Sequence, residues 1–157
     1  MAVNNRLQAS AHQKGPFRAH GDATVSVEGR VMHFAATGPW NLEFIEALWR
    51  VMVKATSQLP QDGRFVDLVE VRGSAWMTPD ALQLLSNCID TAVAQGFRAS
   101  ATALVIPMEV EGRSLMLPKL VEVYGRHRPV LVHTDAAQAR AALRALMPDL
   151  DLAESGP

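Results

Sequence analysis

Cysteine is nearly missing from this chain. Cys88 is the only one in 157 residues, so no disulfide can form within the chain, and its place beside Ile89 reads as core packing. No apolar run approaches the ~18 residues of a membrane-spanning helix and no signal-peptide core is visible, so the expected location is cytoplasmic. Neither sign of charge is in excess: 15 basic and 16 acidic side chains leave a formal net charge of -1, which gives no general attraction to nucleic acid or anionic lipid. The five histidines, His12, His20, His33, His127 and His133, lack the i, i+4 spacing of a metal site. No Gly-x-Ser-x-Gly elbow, dinucleotide fingerprint or Walker loop occurs. No cofactor, metal or catalytic residue is assigned, and the chain is read as non-enzymatic.

What is present is 48% apolar and 20% charged residues, enough for one domain with its own core. Residues 1–22 show no periodicity and are expected to be a flexible tail, residues 23–147 the folded domain, and residues 148–157 a frayed acidic tail. Alternating apolar residues over 23–28 and 31–37, split by Gly29-Arg30, predict a hairpin. Asn41 then caps a helix with the stripe Leu42, Ile45, Leu48, Trp49 and Met52, ending near 58–60. The run 65–71 is a strand buried on both faces, with Asp67 and Glu70 its only charges. After Arg72-Gly73, Thr78 caps a second helix to about Gln95, with Pro79 at its first position, Asp80 at its positive end, and Met77 and Leu82 placed as a hydrophobic staple.

A further strand over 99–106 stops at Pro107, and 108–113 form a loop. The next helix starts no earlier than Ser114, because Pro118 is tolerated only in a first turn. A strand over 129–133 and a helix opened by Asp135 and Gln138 complete the pattern. The fold class is therefore α/β: a mostly parallel sheet of about five strands with an N-terminal hairpin and four helices. Right-handed crossovers bring the loops 38–41, 72–78 and 107–113 to the carboxyl edge, where open α/β sheets bind ligands.

Two stretches carry a resemblance. Thr37-Gly38-Pro39-Trp40-Asn41 and Met77-Thr78-Pro79-Asp80-Ala81-Leu82 stand where the STAS domain of bacterial anti-sigma-factor antagonists has its Thr-Gly-x-Leu-Asp turn and its Met-Asp-Ser-Ser-Gly-Leu segment. The chain resembles a STAS-like single-domain protein over roughly residues 23–146, which implies a βα superhelix related to lipid-transfer domains. Asn41 replaces the family's aspartate and Pro79 its phosphoserine, while Thr78 matches the preceding aspartate, so the phosphorylation switch does not carry over.

The candidate interaction or ligand edge comprises Trp40, Asn41, Asp67, Trp76, Met77, Thr78, Asp80 and Met108. Asp67 has two readings, a charge shaping the site around Thr78 or a carboxylate satisfied by backbone amides of the neighbouring loop. The basic run 126–128 reads as a solvated patch at a helix end. Trp40 and Trp76 either plug the edge or line a binding surface, while Trp49 belongs to the core. The leading expectation is a non-catalytic regulatory or protein-interaction module; the alternative is a carrier or sensor of a small apolar, lipid-like molecule at the carboxyl edge. With the helices on one sheet face, the other face is left to a tail or a second subunit, so a homodimer is expected.

Overall fold

The computed structural model describes residues 6–150 and Leu152. The hairpin predicted from alternation is present as β2 (Asp22–Glu28) and β3 (Val31–Thr37), preceded by a short β1 (Leu7–Gln8). Then α1 (Leu42–Ala55), β4 (Val66–Arg72), α2 (Pro79–Ala94), β5 (Thr102–Val105), α3 (Arg113–Gly125), β6 (Val130–His133) and α4 (Ala136–Leu146) follow. The six strands form one sheet in sequence order; β1, β2 and β3 pair antiparallel and β3 to β6 parallel.

Alternation along the strands builds two cores. Phe65, Val69, Val71, Leu104 and Ile106 join the side chains of α1, α2 and α3, among them Phe44, Ile45, Leu85, Ile89, Met116 and Leu120. Each large apolar side chain fully buried there contributes about 1.5–3 kcal/mol. The stripe of α1 is rotated from the expected one: Phe44 and Val51 are buried, whereas Leu42 and Met52 are half-buried, because the Phe44 ring packs against Trp40 at 5.9 Å between centroids. The other face holds Val66, Leu68, Ala101, Ala103 and Val105 beneath Ala139 and Leu143 of α4.

That second core corrects the expectation that all helices gather on one face. A short 3-10 turn, Pro148–Leu150, carries Leu150 (1% exposed) onto the α4 side, and Leu152 is buried beside it. The segment expected to fray thus contributes Leu150 and Leu152 to the core, its residues 151 and 153–157 lying outside the described residues, and the face left to a tail or a second subunit is covered by α4 and these two leucines. The argument that led to a homodimer loses its premise.

Residues 1–5 of the segment expected to be a mobile tail lie outside the described residues; the rest of it contributes a strand, so the sheet has six strands rather than about five. Leu7 pairs with Val25, and a 3-10 turn, Ala9–His12, buries Ala9 in the main core. Asp22 accepts hydrogen bonds from Gln8 Nε2 (2.6 Å) and from the Ser10 amide (3.0 Å) and hydroxyl (2.9 Å). A strand of two residues has no periodicity to read, hence the omission. Pro118 lies in the second turn of α3, beyond the place the sequence argument allowed. The amide it lacks would have met the Ser114 carbonyl, and since Ser114 and Pro118 are both exposed, water can take that acceptor.

Candidate functional site

The carboxyl edge is stitched together by backbone. Past the strand ends, Trp40 bridges Met77 and Ser74 bridges Glu111 in parallel fashion. The Trp40 amide donates to the Trp76 carbonyl (2.9 Å), the Ala75 amide to the Glu111 carbonyl (2.8 Å) and the Glu111 amide to the Gly73 carbonyl (3.1 Å). Three loops therefore behave as a continuation of the sheet. Gly38 permits this approach: a Cβ there would lie 2.1 Å from the Ser74 carbonyl oxygen, so no other residue fits without moving the backbone. At Gly112, whose φ is +74°, a Cβ would meet the Trp76 indole at 2.8 Å. The ring thus lies close over a residue that has none.

Trp40 and Trp76, equivalent in sequence terms, have opposite fates. Trp40 is 4% exposed and fills the interior end of the edge, while Trp76 is 38% exposed on its outside. Trp40, Asn41, Trp76, Met77 and Thr78 line one open groove of about 200 Å³ with His20 and Pro39. Met108 (69% exposed) stands on the β5–α3 loop outside the groove, and Leu115, in the first turn of α3, is exposed as well.

Both caps are in place and both do more than cap. Asn41 Oδ1 accepts from the Phe44 amide (3.1 Å) and the His20 amide (2.9 Å), and its Nδ2 donates to the Arg18 carbonyl (3.0 Å). A carboxylate has no donor for that last bond, which gives a physical reason for an amide here. Thr78 donates its hydroxyl to Asp80 Oδ1 and accepts weakly from the Ala81 amide (3.4 Å), which lies closer to Asp80 Oδ1 (2.8 Å). The hydroxyl is fully engaged within the first turn of α2.

Comparison with protein-family models, with curated proteins and with solved structures finds no match. The site is therefore argued from its own geometry. No helix among the described residues is long and apolar enough to cross a membrane.

Asp67 does not belong to this edge. It lies near the amino end of β4, with most of the strand, roughly 16 Å at 3.3 Å per residue, between it and the groove. Neither sequence reading of it holds. It faces the three-helix core, 7% exposed, opposite Thr102 on β5, whose hydroxyl donates to it at 3.2 Å. Burial raises its pKa to about 6, against the pull of the Arg128 guanidinium and the Thr102 hydrogen bond. The same burial, with the Asp67 charge, pushes the Tyr124 phenol well above its ordinary value.

Arg128 is the residue that sequence reasoning missed. The basic run divides: Arg126 and His127 both bond Asp90 of α2, the latter at 2.7 Å, whereas Arg128 turns inward and is only 8% exposed. Its guanidinium lies 6.0 Å from the Tyr124 ring centroid. The available signal was Asp67 itself, since a carboxylate buried in a strand calls for a cation from elsewhere in the chain.

Proposed function

We propose that this chain is a non-catalytic regulatory module of the STAS-like kind that docks a protein partner on its carboxyl edge. The observation that carries the reading is Trp76, a large ring left exposed on an edge whose backbone is rigidly paired. Exposed aromatic and methionine side chains on a rigid frame suit a protein interface, where such residues provide most of the binding energy. Trp40 supports the same reading from within, because it fills the place through which a carrier would have to admit an apolar molecule at this edge.

The test places a photo-crosslinking residue at Met108 and, as a control on the opposite sheet face, at Leu146, in the cells from which the protein comes. The expected result is one discrete adduct from position 108 that is lost when Trp76→Ser is added, with the melting temperature little changed, and none from position 146. Equal adducts from both positions would refute the reading. So would a saturable, Trp76-dependent fluorescence change on titration with fatty acids, which would favour the carrier.

A further inference from the structure

The sheet ends differently on its two sides. β1 is two residues long and runs straight into a 3-10 turn, so that side offers almost nothing to pair with. β6, the last strand on the other side, reads Val-Leu-Val-His, with no lysine, acid or proline inside it to blunt the edge. The elements packed closely against it are β5, α3 and α4. The Thr102 amide donates to the Pro129 carbonyl (3.0 Å) and the Ile106 amide to the His133 carbonyl (3.0 Å), so positions 129, 131 and 133 turn their main chain toward β5. The positions between them turn the other way, and the amides and carbonyls of Val130 and Val132 are aimed out of the sheet. The side chains there are apolar as well. Val132 is 38% exposed on the outermost strand, Val130 packs on the three-helix side, and Leu131 is half-buried on the α4 side.

We propose that the β6 edge pairs with a second copy of this chain, the two β6 strands running antiparallel about a two-fold axis at Leu131. The occupant follows from the register. Centred on Leu131, Val130 of each copy lies opposite Val132 of the other, and each such pair exchanges an amide and a carbonyl in both directions, so every outward main-chain group of the two strands is matched. A centre one residue away would pair one valine with itself and set the other against position 128 or 134, outside the strand. Pro129 comes opposite His133, at a position where the pair uses no amide, so the proline costs no bond. Leu131 meets its own copy on the α4 side, where the strands bring side chains closest, and the valines meet on the three-helix side. Charge agrees with this register: at each end the turn carrying Arg126 and His127 approaches Asp135 of the second copy, and no like charges stand opposite. Because β6 is used up in the pairing and β1 is too short to extend, the assembly closes at two. A four-residue strand pair is small, so the dimer is weak, with a dissociation constant on the order of 100 μM. This surface is separate from the docking edge and from the face that α4 covers.

Sedimentation equilibrium of the full chain, from about 10 μM to about 1 mM, reads the association. The mass should rise from 17.1 kDa toward twice that value and no further, and hydrogen exchange at the Val130 and Val132 amides should slow as it rises. Val132→Pro removes an outward amide that the single chain does not use, and should weaken the dimer at least about tenfold. Where that variant does not fold, Val132→Lys, which puts a charge on the exposed strand, takes its place. Trp76→Ser should leave the dimer intact, which separates it from the docking edge. A mass that stays at one chain to about 1 mM, growth beyond two copies, exchange at the two valines that ignores concentration, or a dimer that survives the folded Val132 variant overturns the proposal.

Discussion

Asn41 shows what a single residue joins in this protein. Its side chain holds the start of α1, the Arg18 carbonyl and the His20 amide together, so the N-terminal segment and the first helix share one fastening. Asn41→Asp keeps a good cap but loses the donor to Arg18, and should cost about 1 kcal/mol; Asn41→Ala also abandons two amides and should cost about 2 kcal/mol. Urea unfolding measures both, and equal midpoints for wild type and Asn41→Asp would show that the Arg18 bond contributes nothing. The cap was legible in the sequence because it is a local event, decided within four residues. The bonds to residues 18 and 20 were not, because they span a turn that no periodicity announces. Thr78 was legible for the same local reason, although Asp80 takes the larger share of the Ala81 amide.

Among elements, the pairing of β4 with β5 places Asp67 against Thr102, and this strand pair sets a pH dependence. An unfolded chain releases the Asp67 proton near the ordinary 3.8, whereas the native state keeps it to about 6. Between those values the native state binds more protons, so the contribution of Asp67 to stability falls as pH rises and is fully lost above about pH 6. The change is on the order of 3 kcal/mol. Unfolding free energies measured from pH 4 to pH 7 should show wild type losing ground to Asp67→Asn by this amount, and parallel curves for the two proteins would contradict the burial argument. The strand itself could be read from its β-branched run. The cation whose charge acts on its carboxylate could not, because Arg128 comes from beyond α3 and its neighbours Arg126 and His127 do behave as surface residues. Pro118 is the opposite case: a proline inside a helix is tolerated where the acceptor it orphans faces water, and that exposure depends on how α3 packs rather than on local sequence.

For the whole molecule, strict strand and helix alternation announced a mostly parallel sheet; the structure adds that each crossover from β3 to β6 joins neighbouring strands. What alternation could not decide was where α4 goes, because no strand follows it to fix a crossover. It closes the second sheet face together with Leu150 and Leu152. Leu150→Ala should therefore destabilise the protein by about 2–4 kcal/mol, as a core leucine does and a frayed residue would not. Thermal unfolding with no loss of midpoint would return this segment to the solvent. The bridges between Trp40 and Met77 and between Ser74 and Glu111 have a meaning for the protein's history as well. They make the edge out of main chain, so the frame is indifferent to most of what it displays. Gly38 cannot change without breaking the frame, but the side chains at 76 and 108 stand on it like interchangeable type. A lineage could replace one partner with another by altering those letters while the fold beneath them stays the same.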